Sequence, residues 1–308
     1  MNAILIVALP FFALIFTGYA AIRWKLMGEN AVQGLNGVVF YFALPSLLFV
    51  KVIEAPLESL FDPRFFVAYY LPTIGLMLVT TATVRWLMKR AVGEAAIRGL
   101  STCWANSGYM GIPLLLTLGG DEAALAAVLV LTLDNLIISP MAIIAIESDR
   151  GSVKLARIAL NLIKNPLIIA VFGGFAVALA GLTLPAPLMG YLDTLSAATV
   201  PCALFALGGS LVGVPVTEAK REIFLTSALK LLVHPLLVAL FAYVIIPLEP
   251  TMALATVIVA ALPAGASVFV LAQRYEVYVR RASSVVLFTH LASVLTVTAL
   301  LVWAEGGL

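Results

Sequence analysis

Charge is scarce in this sequence: 18 Lys and Arg and 16 Asp and Glu among 308 residues make only 11% charged, against 63% hydrophobic. A chain so poor in charge cannot clothe a folded domain in the polar shell that water requires. The formal net charge is only +2 and no basic patch stands out, so nucleic acid is excluded as a partner. Cysteine is scarcer still. Cys103 and Cys202 both fall inside apolar runs, too few and too badly placed for a disulfide framework or a metal cluster, and both read as small buried residues. The sequence has no His-Glu zinc pattern, nucleophile elbow or phosphate-binding loop, which argues against an enzyme and leaves no cofactor to expect.

What the sequence does contain is apolar length. Uncharged runs of about 20 residues recur, each enough at about 1.5 Å per residue to cross a hydrocarbon core roughly 30 Å thick. Backbone polar groups in lipid must be satisfied within the segment, so the runs are expected to be helices in an all-α polytopic membrane protein. Ten spans are predicted, near 2–22, 31–50, 65–88, 96–118, 122–146, 165–184, 188–212, 222–246, 251–273 and 281–303. Turn residues such as Gly119-Gly120-Asp121 and Pro185-Ala186-Pro187 separate the closest pairs. The first run lacks a basic leader and a small-residue cleavage site, so it reads as a retained span, and no soluble domain is expected.

Lys and Arg of short loops favour the cytoplasm. Arg23 and Lys25; Arg85, Lys89, Arg90 and Arg98; Arg150, Lys154, Arg157 and Lys164; Lys220 and Arg221; and Arg274, Arg280 and Arg281 fall in alternate loops. Only Lys51 and Arg64 lie on the other side, with Lys230 inside a span. Both termini are therefore expected outside, on the periplasmic face of an inner (plasma) membrane. The stretch 151–164 is basic and amphipathic, fitting either a helix on the cytoplasmic surface or a plain connector.

Shifting the second half over the first by 156 residues superposes Pro10 on Pro166, Gly18 on Gly174, Pro45 on Pro201 and Phe49 on Phe205. Two five-span repeats follow, at 1–150 and 165–308. An odd number of spans makes the second copy enter the membrane inverted, an arrangement that places substrate near the bilayer midplane in secondary transporters.

Spans 4 and 9 carry the interruptions that such a site needs. Span 4 contains Asn106-Ser107-Gly108-Tyr109-Met110-Gly111-Ile112-Pro113, and span 9 contains Pro263-Ala264-Gly265-Ala266-Ser267. The glycines disfavour helix, and Pro113 lacks a donor and crowds the carbonyl of Tyr109. Such unsatisfied main chain is tolerated in lipid only beside a cavity or a partner helix. Two crossing breaks would aim half-helix N-termini at an anion, with Asn106, Ser107, Tyr109 and Ser267 adding side-chain hydrogen bonds. Two packed proline kinks, needing no ligand, are the alternative.

At these residues the sequence resembles the auxin efflux carrier family. Asn106 to Pro113, followed by Leu114 and Leu115, looks like that family's fourth-helix motif, and Pro263 to Tyr275 looks like its ninth-helix motif. The resemblance implies ten helices arranged as scaffold (spans 1, 2, 6 and 7) and transport domain (spans 3–5 and 8–10), with helices 4 and 9 crossing. It also implies carboxylate cargo, elevator-type motion, a homodimer, and a substrate site at Asn106, Pro113 and Pro263, to which the residues of the two breaks add Ser107, Tyr109, Gly111, Gly265 and Ser267 as candidates. Unlike the plant exporters, the chain lacks a long loop between its halves.

Isolated ionisable residues add candidates, since a charge inside a membrane is costly and tends to mark an ion or substrate path. Asp134 and His290 are related by the same shift of 156, and Lys230 and His234 stand at i and i+4. Asp134 could bind a coupling proton or sodium ion with Lys230 or His290 as charge partner, or be a structural ion pair. The expected function is carriage of a small mono- or dicarboxylate such as malonate, malate or an auxin-like acid. A proton- or sodium-coupled symporter or antiporter of similar crossed-helix fold, and a sensor that binds without transport, are the alternatives.

Overall fold

A computed structural model of the protein describes residues 2–54, 62–149, 151, 153, 155–213 and 219–306. Among them all regular structure is helical and no strand forms beyond one isolated bridge. In chain order the helices are α1 (Asn2–Arg23), α2 (Glu29–Val38), α3 (Leu44–Glu54), α4 (Pro63–Ala82), α5 (Val92–Ser101), α6 (Ile112–Leu133), α7 (Ser139–Asp149) and α8 (Leu155–Ile163). They continue with α9 (Pro166–Leu179), α10 (Ala186–Ala197), α11 (Thr199–Ser210), α12 (Lys220–Ala228), α13 (His234–Leu240), α14 (Pro250–Ala261), α15 (Ala266–Arg274) and α16 (Val279–Gly306).

Wider, i+5-bonded turns join helices end to end at Val39–Ala43, Asp134–Ile138 and Leu229–Val233, and extend the ends of α4 and α13 at Thr83–Leu87 and Phe241–Ile245. Six resulting stretches are long and apolar enough to cross a membrane: Asn30–Glu54, Pro63–Leu87, Ser107–Asp149, Ala186–Ser210, Lys220–Ile245 and Val279–Trp303. Shorter apolar helices occupy Phe12–Arg23, Pro166–Leu179 and Pro250–Ala261. Large apolar side chains such as Phe42, Leu71, Leu236 and Leu295 are exposed along them, as lipid-facing residues are in a multi-pass membrane protein.

Helix starts follow local chemistry. Pro166 opens α9 behind Asn165, whose Oδ1 accepts from the Leu167 amide, and Pro250 opens α14 behind Glu249, whose carboxylate accepts from Met252. Within α6 the helix is interrupted at Gly119 and Gly120, the latter at φ 65 and ψ −153, a conformation that essentially only glycine adopts. The predicted Gly-Gly turn is thus present.

By its contacts the chain forms two compact units. The first comprises Met1–Asp62, Gly108–Thr132 and Ala159–Gly213. Its helices meet through backbone-close crossings. A Cβ on Gly18 of α1 would lie 2.0 Å from the Phe205 carbonyl oxygen of α11, and a Cβ on Gly174 of α9 would lie 3.0 Å from the Phe49 carbonyl oxygen of α3. At the end of α3, Lys51 bonds Glu54 at 2.9 Å and Asp121, beside the Gly-Gly turn, at 2.8 Å.

The second unit comprises Pro63–Ser107, Leu133–Ile158 and Val214–Leu308. Here α5 approaches α4 closely enough that a Cβ on Gly99 would strike Thr81 Oγ1 at 2.2 Å. Arg98, read from the sequence as a loop cation, lies within α5 and is buried. It donates to Thr226 at 3.2 Å and stands 3.6 Å from Glu222, which also receives the Tyr278 hydroxyl and pairs with Arg281 at 3.4 Å. Helix α8 forms within the predicted connector, with Leu155, Leu160 and Ile163 exposed and Ile158 buried. Arg150 and Lys154 of that region lie outside the described residues.

Candidate functional site at the crossing of two broken helices

Within the second unit α5 ends at Ser101 and passes through a turn at 102–103 before an unwound stretch, whereas α14 ends at Ala261 and is followed at once by extended backbone at Leu262. These two short segments run antiparallel, with Ala105 opposite Ala264. The Asn106 amide donates to the Pro263 carbonyl at 3.0 Å, and the Gly265 amide donates to the Trp104 carbonyl at 3.1 Å. The two bonds exchange when 104 and 263, and 106 and 265, are swapped, so the crossing has a local two-fold relation with a separation of 159 residues. The register read from the sequence was 156; the crossing is displaced from it by three residues.

The break in span 4 also lies earlier than its motif suggested. The unwound stretch precedes Asn106, Ser107–Gly111 forms a wide turn that runs directly into α6, and Pro113 is the second residue of α6. The main-chain donor released by the break, that of Asn106, is satisfied by its crossing partner.

Small residues make the approach possible. Ala105 and Ala264 are buried, and the indole of Trp104 occupies the space where Gly265 would carry a side chain. The Ala264 amide donates to Thr289 Oγ1 of α16 at 3.1 Å. Helix α15 then begins at Ala266 with no side-chain cap from Gly265, and of its first-turn amides that of Val268 donates to the Gly265 carbonyl at 3.1 Å.

Side chains gather on this frame. Asn106 is buried with its Nδ2 3.0 Å from His290 Nε2, while His290 Nδ1 lies 2.7 Å from the Val286 carbonyl oxygen. Ser107 is buried, and its Oγ has no hydrogen-bond partner. Asp134 Oδ1 accepts from the Tyr70 hydroxyl at 3.2 Å, whereas Asp134 Oδ2 is buried without a partner.

Lys230 is fully buried. Its ammonium donates at 2.7 Å to the Ala260 carbonyl in the last turn of α14, where the helix dipole is negative, and lies 3.4 Å from His234 Nδ1. His234 Nε2 stands 2.9 Å from Thr73 Oγ1, which itself donates to the Tyr69 carbonyl. Donors therefore run in one direction, from ammonium to imidazole to hydroxyl to carbonyl. Lys230 and Asp134 are within electrostatic reach of one another.

Of the residues singled out from the sequence, Asn106, Ser107, Pro263 and Gly265 are brought together in this unit, with His290 joined to Asn106. Ser267 belongs to the same unit but is exposed in the first turn of α15. Tyr109, Gly111 and Pro113 belong to the first unit, where Gly108 packs against Leu131 and Leu44. Sequence reasoning missed Trp104, Thr289, Tyr70 and Thr73. Trp104 and Thr289 flank singled-out residues, but their roles arise from chain crossing, which leaves no local signal. Among the described residues no group of three or more His, Cys, Asp or Glu could hold a metal ion.

Long apolar helices, together with unwound backbone crossing inside a polar cluster, define a membrane protein of the broken-helix transporter class. The comparison with known families makes this specific: the chain belongs to the membrane transport protein family, the family of the auxin efflux carriers, whose sequence profile matches residues 3–301. It is a transporter and not an enzyme. It is 34% identical over 304 residues to the "Putative malonate transporter" of Rhizobium meliloti, covering 97% of this chain and 95% of that one. It is 25% identical over 295 residues to the uncharacterized transporter YfdV of Escherichia coli, covering 94% and 93%. It also matches the lysosomal cholesterol signaling protein of Mus musculus at 25% over 252 residues, 73% of this chain but 28% of that protein.

Proposed function

We propose that this transporter carries a small organic anion, a mono- or dicarboxylate such as malonate, across the cell inner membrane by alternating access. The carrying observation is the paired crossing at Asn106–Pro263 and Trp104–Gly265, which assembles buried hydrogen-bonding groups halfway along apolar spans. An anion there meets the Asn106 amide, the Ser107 hydroxyl and the uncapped first turn of α15. The relative named for malonate supports that cargo class.

Ten spans in two inverted repeats fit this reading. The Gly18–Phe205 and Gly174–Phe49 crossings exchange under the shift of 156, as do the left-handed residues Lys25 and Gly181, and Gly120 and Glu276. The second unit, which holds the crossing, acts as the transport domain and the first as scaffold, in an elevator-type cycle. Two copies associate through their scaffolds, and both termini face the periplasm.

A second reading has an observation of its own. Asp134 Oδ2 is buried without a partner, so it is open to a cation, and a sodium- or proton-coupled carrier would use it. In proteoliposomes, labelled malonate, malate and indole acetate should show which acid is carried, and Asn106→Ala should weaken binding roughly 10- to 100-fold. Binding without flux of any acid would leave only a sensor. Flux that is independent of sodium and pH, and unchanged in Asp134→Asn, would remove the coupled reading.

A further inference from the structure

The hydrogen bonds of His290 fix which ring nitrogen carries its proton. The Val286 carbonyl only accepts, so Nδ1 is the donor at 2.7 Å. In the neutral ring Nε2 is then an acceptor, and the group 3.0 Å from it must be the Asn106 NH2. That orientation leaves the Asn106 amide oxygen as the other edge of the group, which repels a carboxylate.

Adding a proton at Nε2 turns both ring nitrogens into donors. Nδ1 keeps its bond to Val286, while Nε2 now needs an acceptor, and Asn106 supplies one by turning its amide over. The oxygen then faces the ring and the NH2 takes the oxygen's former place. One proton thus converts the Asn106 edge from acceptor to donor and adds a positive charge beside it.

The charge is needed because the buried Lys230 ammonium is committed elsewhere. Lys230 donates to the Ala260 carbonyl and stands against His234. Other titratable groups come from the elements packed on α16. Glu94 and Arg98 of α5 and Glu222 of α12 are tied to one another and to Arg281, which stands nine residues before His290, roughly 13 Å along the helix. Lys220, Arg221 and Arg274 are exposed, and the Cys103 thiol bonds back to the Gly99 and Leu100 carbonyls. Helix α14 carries no charged side chain.

We propose that His290 is the proton-binding residue of this carrier, taking up one proton at Nε2 as a carboxylate binds and reversing the Asn106 amide to receive it. The inference rests on the crossing being the anion site. A monocarboxylate then travels with one proton and no net charge, and a dicarboxylate carries one net negative charge.

The chain has only two histidines, so both can be followed at once. Ring-15N-labelled protein in bilayers should show, without ligand, His290 protonated at Nδ1 and His234 protonated at Nε2. Saturating malonate or acetate should add a proton to His290 alone, and weakly buffered protein should take up about one proton per acid bound. On the alkaline side affinity should fall about tenfold per pH unit. His290→Gln should lose both the proton uptake and the pH slope, whatever its affinity. A neutral His290 with acid demonstrably bound, in wild-type protein, would overturn the proposal even if the variant does not fold. Failure of every acid to bind would instead overturn the anion site itself.

Discussion

The indole ring of Trp104 fills the space in front of Gly265: a Cβ there would lie 2.7 Å from Trp104 Cδ1 and 3.1 Å from the Ala105 carbonyl oxygen. The two crossing hydrogen bonds flank this point, so the ring cannot yield without parting the two segments. Gly265→Ala should cost about 1–3 kcal/mol by overpacking and lower malonate affinity at least about tenfold. Thermal unfolding and binding, measured on the same preparation, would check it. Gly75→Ala in α4, where nothing lies within 4 Å, serves as the comparison and should be neutral or slightly stabilising.

Asp134 and Lys230 are buried charges of opposite sign that are not held in a direct bond; each is bonded to a different neutral group. Removing one leaves the other uncompensated in a dry interior. Asp134→Asn and Lys230→Met should each destabilise by about 3 kcal/mol, and the double variant should recover more than half of the summed loss. Additive losses in a thermal double-mutant cycle would show that the two charges act independently.

Much of this arrangement was legible in the sequence because its signals are local. Apolar run length, the Gly119-Gly120 turn and the glycine- and proline-bearing interruptions of spans 4 and 9 each depend on a few neighbouring residues. Partnerships were not legible. Nothing in the residues around Lys230 says that its ammonium ends on a carbonyl 30 residues away, nor that Arg98 lies in a helix and meets Thr226. The shift of 156 rests on matched Pro, Gly and Phe positions in helices, where it relates Gly18–Phe205 to Gly174–Phe49. At the crossing the separation is 159, since extended backbone absorbs three residues that a helical register cannot.

Glu222 gathers Arg98, Arg281 and the Tyr278 hydroxyl. Burial, then the bond to Glu222, raises the Tyr278 phenol well above its ordinary value of about 10. A group raised on folding contributes its stability fully below the unfolded value and loses it only as pH climbs through the folded one. The contribution of Tyr278 should therefore be constant from about pH 6 to 9. Glu222→Gln should lower stability by about 3 kcal/mol by leaving Arg98 buried without its carboxylate, while Tyr278→Phe should cost about 1–2 kcal/mol with no pH dependence below 9. Melting temperatures across that pH range test both.

In the first unit the strictest requirement falls on Gly208, where a Cβ would lie 1.8 Å from the Ile15 carbonyl oxygen and 2.9 Å from the Tyr19 amide nitrogen. Both obstacles are backbone, so relief demands that α1 and α11 move apart, and the facing Gly18 shows that the closeness is shared. In lipid such small-residue crossings supply much of the packing between helices, because no hydrophobic gain drives the helices together. Gly208→Ala should destabilise by about 3 kcal/mol or prevent folding, and Gly208→Leu should give no folded protein. Gly190→Ala in α10, with nothing within 4 Å, should instead be neutral or gain up to about 1 kcal/mol from helix propensity. Cys202, half-buried in α11 of the same unit, and buried Cys103 are both free, so dye labelling on heating should be followed at Cys202 in a Cys103→Ser background and checked by circular dichroism. Equal melting temperatures for Gly208→Ala and Gly190→Ala would mean that the α1–α11 crossing is not as close as drawn.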